Sequence, residues 1–140
     1  MSLDNIPEIK LECSGRAKYR VSFGTEVYTL FISQILETLI SLSWETDDAT
    51  GQKYFYIRFN PNFFAPGTPK KYWEPPIVHE IFEAKNGPEK EKSDELANKA
   101  EAEYCLKYFL KEEQTQYLGM VASILGKNHP KYKFLEERLR

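Results

Sequence analysis

The residues in this chain with the clearest claim to chemistry are His79, Glu80 and Glu83, in the run HEIFE. On a helix, His79 and Glu83 stand one turn apart on one face and could hold a metal ion as a mixed pair. The run stops short of the HExxH pattern of zinc hydrolases, because its fifth residue is Glu and not His. Catalytic zinc wants three protein ligands, and no second local motif supplies the third. The sequence therefore reads as a histidine packed on a helix surface, and neither a metal nor another cofactor is expected. Asp47-Asp48 could hold a magnesium ion, but adjacent acids beside Thr50 and Gly51 read as turn formers. His129 precedes Pro130 and reads as a solvated residue at a helix start. Cys13 and Cys105 lie far apart, belong to no CxxC pair and have no histidine near them in sequence. They read as small, buried, reduced apolar residues and not as a disulfide or zinc site. No GxSxG run occurs, and the seven glycines form no phosphate-binding loop. With no titratable groups shown to converge, no catalytic residue is assigned and the chain is read as non-catalytic.

A second concentration of chemistry is the stretch from Lys53 to Pro76, KYFYIRFNPNFFAPGTPKKYWEPP. It carries eight of the twenty aromatics, five of the eight prolines, and four cations before its first anion, Glu74. Tyr54, Tyr56, Arg58, Lys70, Lys71, Tyr72 and Trp73 are the candidate binding surface. Interfaces with proteins favour such rings and Arg on stiff loops that lose little entropy on docking. Single-stranded nucleic acid is recognised by similar means, with rings stacking bases and cations holding phosphates. Arg16, Lys18 and Arg20, which share one strand face, would add to such a surface. A purely structural reading makes Phe63, Phe64 and Trp73 a lid over one end of the core.

These residues must be positioned by a chain of 140 residues, the usual size of one domain. Hydrophobic residues make up 41% and charged residues 29%, as in ordinary globular proteins. A net charge of −2 gives no bulk attraction to nucleic acid or anionic membranes. The most apolar window, Val27 to Trp44, is interrupted by polar residues throughout, so no membrane span is expected. The N-terminal MSLDNIPEIK lacks the cationic start and apolar run of a signal peptide, and a cytoplasmic location is expected.

The expected fold class is α+β, a single domain over 1–140. It has an antiparallel sheet of about four strands in the N-terminal half and three to five helices mostly in the C-terminal half. Alternation of Ala17, Tyr19, Val21 and Phe23 with Arg16, Lys18, Arg20 and Ser22 predicts a hairpin over about residues 8 to 23, turning at Ser14-Gly15. Thr25 is the expected cap of a helix running to Leu42, with a strand followed by a shorter helix as the competing reading. A second hairpin joins a strand beginning near Trp44 to KYFYIRF, with Phe55, Ile57 and Phe59 facing the core. A structured proline- and aromatic-rich loop follows at about 60–76. Ile77, Val78, Ile81 and Phe82 predict a short helix, with a strand as alternative, stopped by Asn86-Gly87-Pro88. EKEKSD reads as an exposed connector, and Ser93 as the cap of a helix buried along Ala102, Cys105, Leu106, Phe109 and Leu110. Two more helices follow, one closed by Gly126 and one capped by Asn128. Ile35, Leu39, Phe55, Ile57, Leu106, Phe109, Val121 and Leu125 are the expected core.

The function expected from these residues is that of a non-catalytic binding module, an accessory or regulatory subunit acting through a protein partner. The first alternative is a subunit that contacts single-stranded RNA or DNA within a ribonucleoprotein assembly. The second is a small enzyme with no recognisable motif.

Overall fold

A computed structural model describes residues 5–86 and 90–140. The chain is α+β. Five strands come first, β1 (Ile9–Gly15), β2 (Lys18–Phe23), β3 (Glu26–Ile32), β4 (Ile40–Thr46) and β5 (Lys53–Phe59). Four helices follow, α1 (Glu74–Lys85), α2 (Lys90–Tyr108), α3 (Lys111–Leu125) and α4 (Pro130–Leu139). The chain divides into two compact units. One is Pro7–Phe63, and the other combines Met1–Ile6 with Phe64–Arg140.

In the first unit the five strands form one sheet in the order β1-β2-β3-β5-β4. The pairs β1–β2, β2–β3 and β4–β5 are antiparallel, while β3–β5 is parallel. The expected sheet was antiparallel with about four strands. The difference is β3, which occupies the start of the segment read as a helix from Thr25. Val27, Thr29 and Ile32 are β-branched and fit a pleated surface better than a helix. Tyr28 and Leu30 are buried while Val27 and Phe31 are exposed, which is period two. The helical reading leaned on Ile35, which lies in the following loop and is 93% exposed. Leu39, also expected inside, is half-buried in the same loop.

That loop has to carry the chain past β5's place and bring β4 back as an edge strand. Asn60 secures it. This buried side chain donates from Nδ2 to the carbonyls of Leu36 at 2.9 Å and Gln34 at 3.3 Å. Its backbone NH donates to Leu39 O at 2.8 Å. The first hairpin forms as expected, but β1 runs through Gly15 and the chain turns at Arg16-Ala17, where Ala17 takes a φ of 54°. The second hairpin turns where expected, with Asp47 Oδ1 accepting from the NH of Ala49 at 2.8 Å.

One sheet face is closed, with Val21, Phe23, Leu30, Ile57 and Phe59 buried. Phe55 shares that face with Ile57 but sits near the hairpin end and is exposed, unlike the core role expected of it. Cys13 is exposed on β1, where a buried residue was expected.

The expected loop over 60–76 begins in the first unit, continues into the second from Phe64, and is more regular than its composition suggests. Lys70–Trp73 form a 3-10 turn that runs directly into α1, so Pro75 and Pro76 lie in the first helical turn. Proline is tolerated there because the NH it lacks would have had no partner. Ile77, Val78, Ile81 and Phe82 are fully buried on α1, as expected for a helix here. Helix α1 packs along α2, and α4 packs on both α2 and α3.

Helix α2 begins before the expected cap: Ser93 is inside the helix and buried. Its buried positions Ala97, Ala100, Glu101, Tyr104 and Cys105 recur at spacings of three and four. Leu106 and Leu110, placed in the core by the sequence reading, are exposed. Small alanines, and not the leucines, mark the contact face, since they let a neighbouring helix approach closely. Phe109 and Val121 are buried as expected, while Leu125 in the last turn of α3 is exposed. Gly126 ends α3 at a φ of 90°, a conformation that favours glycine. His129 caps α4 in place of Asn128, its Nδ1 accepting from Lys131 NH at 3.1 Å. Among the described residues no helix is long and apolar enough to cross a membrane.

Candidate functional site

Two groups of side chains stand out, one in each unit. The first is the open face of the sheet. Strand alternation sends Lys18, Arg20 and Ser22 of β2, Val27, Thr29 and Phe31 of β3, and Tyr54, Tyr56 and Arg58 of β5 to this face. The register sets them in rows. Lys18 lies opposite Phe31, which lies opposite Arg58; in the next row Arg20, Thr29 and Tyr56 are neighbours. The Phe31 ring is thus flanked by a cation on either side. It is 37% exposed, its centroid is 6.1 Å from that of Tyr56, and Lys18 Nζ lies 5.9 Å from its centre.

Lys18, Arg20, Arg58 and Tyr54 are exposed. The three inner strands put three cations and no anion on this face. The edge strands add Glu12 opposite Arg20 and Glu45 opposite Tyr54. Across neighbouring strands the spacing is about 4.8 Å, so the rows set cations and rings within reach of consecutive nucleotides or of a peptide segment. On the opposite face, Trp44 lies opposite Phe55 at the hairpin end and is 56% exposed, with Lys53 Nζ 5.9 Å from its ring.

The remaining candidates belong to the other unit. Tyr72 and Trp73 are buried, so their rings are core and not surface. The 3-10 turn directs Tyr72 inward, where its hydroxyl donates to Gln116 Oε1 at 2.5 Å and its ring meets the Phe109 ring edge-on at 5.5 Å. Lys71 is half-buried, donating to Glu113 Oε1 at 2.9 Å and lying over Phe109. Lys70 is exposed. Of the seven residues read as one binding surface, Tyr54, Tyr56 and Arg58 share the open sheet face. That face gains Phe31, which the helical reading of its segment concealed.

The second group is a polar cluster among the helices. Its centre is Glu101 of α2, which is 0% exposed. The Tyr117 hydroxyl of α3 donates to Glu101 Oε2 at 2.5 Å. Lys131 Nζ of α4 lies 2.9 Å, and His79 Nδ1 of α1 lies 3.0 Å, from Glu101 Oε1. Both approaches to Oε1 are ion-pair contacts, one from the lysine ammonium and one from the imidazole. The other imidazole nitrogen, Nε2, lies 3.0 Å from Glu83 Oε2. One ligand atom each from His79, Glu80 and Glu83 fall within 4.8 Å of one another.

These neighbours set the charge states. Burial pulls the His79 imidazolium toward deprotonation, but the carboxylates of Glu101 and Glu83 outweigh it and hold its pKa at about 9. Burial, with Glu83 beside it, raises Glu80 to about 7. Burial also acts to raise Glu101, yet Lys131 and His79 together hold it far below the usual carboxylate range. The same burial, with Glu101 near, pushes Tyr117 and Cys105 upward, so both stay neutral.

The His79–Glu83 pair follows from helical spacing alone. Glu101, Tyr117 and Lys131 come from three other helices and no local motif announces them. The available signal was Glu101 itself, an acid at a position of the small-residue stripe of α2. No protein family, curated protein or solved structure matches this chain.

Proposed function

We propose that this protein is a non-catalytic binding module that takes single-stranded nucleic acid on the open face of its sheet. The observation that carries this reading is the row Lys18, Phe31 and Arg58, a half-exposed ring between two cations, with Tyr56 beside the ring. Rings on a sheet can stack unpaired bases, and cations at strand spacing can hold the phosphates between them. The net charge of −2 does not oppose this, because Lys18 and Arg20 of β2 and Arg58 of β5 stand on one face to either side of β3. The face holds no converging titratable groups of the kind that acid–base or nucleophilic catalysis needs.

The test is fluorescence anisotropy with labelled single strands and the corresponding duplex. Saturable binding that prefers the single strand is expected. Its log K should fall with log salt at a slope of about −2 for three phosphate contacts. Equal binding of duplex and single strand, or a slope near zero, would overturn the reading.

A protein partner is the second reading, favoured by the exposed Trp44 beside Phe55 at the hairpin end. Exposed rings of this kind anchor protein interfaces. In that case an accessory subunit role follows, and Trp44→Ala, not Phe31→Ala, abolishes the interaction.

A further inference from the structure

We infer that the α1 face carrying His79, Glu80 and Glu83 is a binding site for one divalent transition-metal ion, of which zinc is the representative. One possible ligand atom of each residue lies within 4.8 Å of the others, within reach of a shared ion. His79 Nε2 and Glu83 Oε2 form a hydrogen-bonded pair 3.0 Å apart, a few tenths of an ångström closer than two ligands that each lie about 2.0–2.1 Å from a tetrahedral zinc. Glu80, one residue after His79 and three before Glu83, offers a third ligand atom within 4.8 Å of both. An imidazole nitrogen with two carboxylate oxygens is a donor set suited to zinc and its neighbours more than to magnesium or calcium. All three residues are partly exposed, which leaves the ion a solvent-facing position.

The support behind the histidine is independent of that helix. Glu101, fully buried on α2, sits 3.0 Å from His79 Nδ1. Metal-binding histidines commonly present their second nitrogen to such a carboxylate, which fixes the tautomer and turns the other lone pair toward the metal. Formal charge points the same way. Glu80, Glu83 and Glu101 bring three negative charges, and Lys131 brings one positive charge against Glu101. Binding at Nε2 displaces the imidazolium proton to solvent; with that proton gone and Glu80 ionised the cluster stands at minus two, which one divalent ion balances. Lys131 pairs with Glu101, the supporting carboxylate, and its charge also acts on His79 and Glu80.

The experiment uses the full chain with Cys13→Ser, which removes the exposed thiol as a competing ligand. After chelator treatment, zinc is titrated by calorimetry and cobalt by its visible absorption. One ion per chain is expected, with a melting temperature that rises as zinc is added. His79→Gln and Glu83→Gln should each abolish saturable binding. Glu101→Gln should weaken it by about 10- to 100-fold. Should Glu101→Gln fail to fold, the partly exposed Glu83→Gln carries the test alone. Absence of saturable binding up to millimolar zinc, or binding unchanged in both His79→Gln and Glu83→Gln, overturns the inference.

Discussion

The two units use charge in opposite ways. On the sheet, Lys18, Arg20 and Arg58 stand exposed around rings, on strands that place no anion on that face. Among the helices, Glu101 is entirely enclosed and is met by Lys131, His79 and Tyr117 from three different helices. A buried charge is costly to desolvate and persists only where partners compensate it. An exposed charge costs the fold almost nothing, so the fold does not dictate where it goes. The comparison teaches where to look for each role. The enclosed charges are coupled to stability, whereas the exposed ones have no folding reason to gather around Phe31 and Tyr56.

This contrast can be broken most severely at Glu101. Glu101→Ala strands Lys131 and His79 without their shared carboxylate, and should cost about 3–5 kcal/mol of stability by urea unfolding. A loss under about 1 kcal/mol would mean that the cluster is not coupled to the fold. Tyr117→Phe removes a single charge-assisted hydrogen bond, 2.5 Å long, and leaves the packing intact. It should cost about 1.5–3 kcal/mol in the same measurement.

Changes on the sheet face should be read in binding before stability. Phe31→Ala should reduce affinity for a single strand by about 1–3 kcal/mol, the value of one stacked base. The smallest effect is expected from Lys18→Gln with Arg58→Gln. Surface changes of this kind stay within about 0.5 kcal/mol of the parent's stability, while the salt dependence of binding should flatten by about 1.4 in slope. A double variant that unfolds would place these cations with the fold and erase the contrast.

How much of this was readable from sequence depends on whether a signal is local. The strands around Val21 and Ile57 announce themselves by alternation, and α1 by Ile77, Val78, Ile81 and Phe82 at helical spacing. Strand β3 does not, because VYTLFI is apolar at nearly every position and satisfies a helical stripe as well as a strand. That ambiguity hid two things together. It concealed the parallel pairing of β3 with β5, and with it the placement of Phe31 between Lys18 and Arg58. Tyr72 illustrates the converse error, and Trp73 follows the structural reading in place of the surface one. Rings in a proline-rich segment suggested a surface, but a 3-10 turn directs them into a core. On α2 the expected stripe is met at Ala102, Cys105 and Phe109 but not at Leu106 and Leu110, because the buried face also runs through Ala97 and Ala100, whose small side chains carry little hydrophobic signal. His79 and Glu83 were paired correctly from their spacing, since that contact lies within one helix. Glu101 and Lys131 became visible only once the helices were packed.

The most direct measurement of the central claim is a heteronuclear NMR titration of the isotope-labelled chain with a short single strand. The backbone amides of Lys18, Arg20, Thr29, Phe31, Tyr56 and Arg58 should shift together along one saturating curve, with those of Trp44 and Phe55 at the hairpin end and of the helices unaffected. Shifts centred on Trp44 and Phe55, shifts confined to the helices, or none at all under saturating strand would contradict the assignment of the open sheet face as the binding surface.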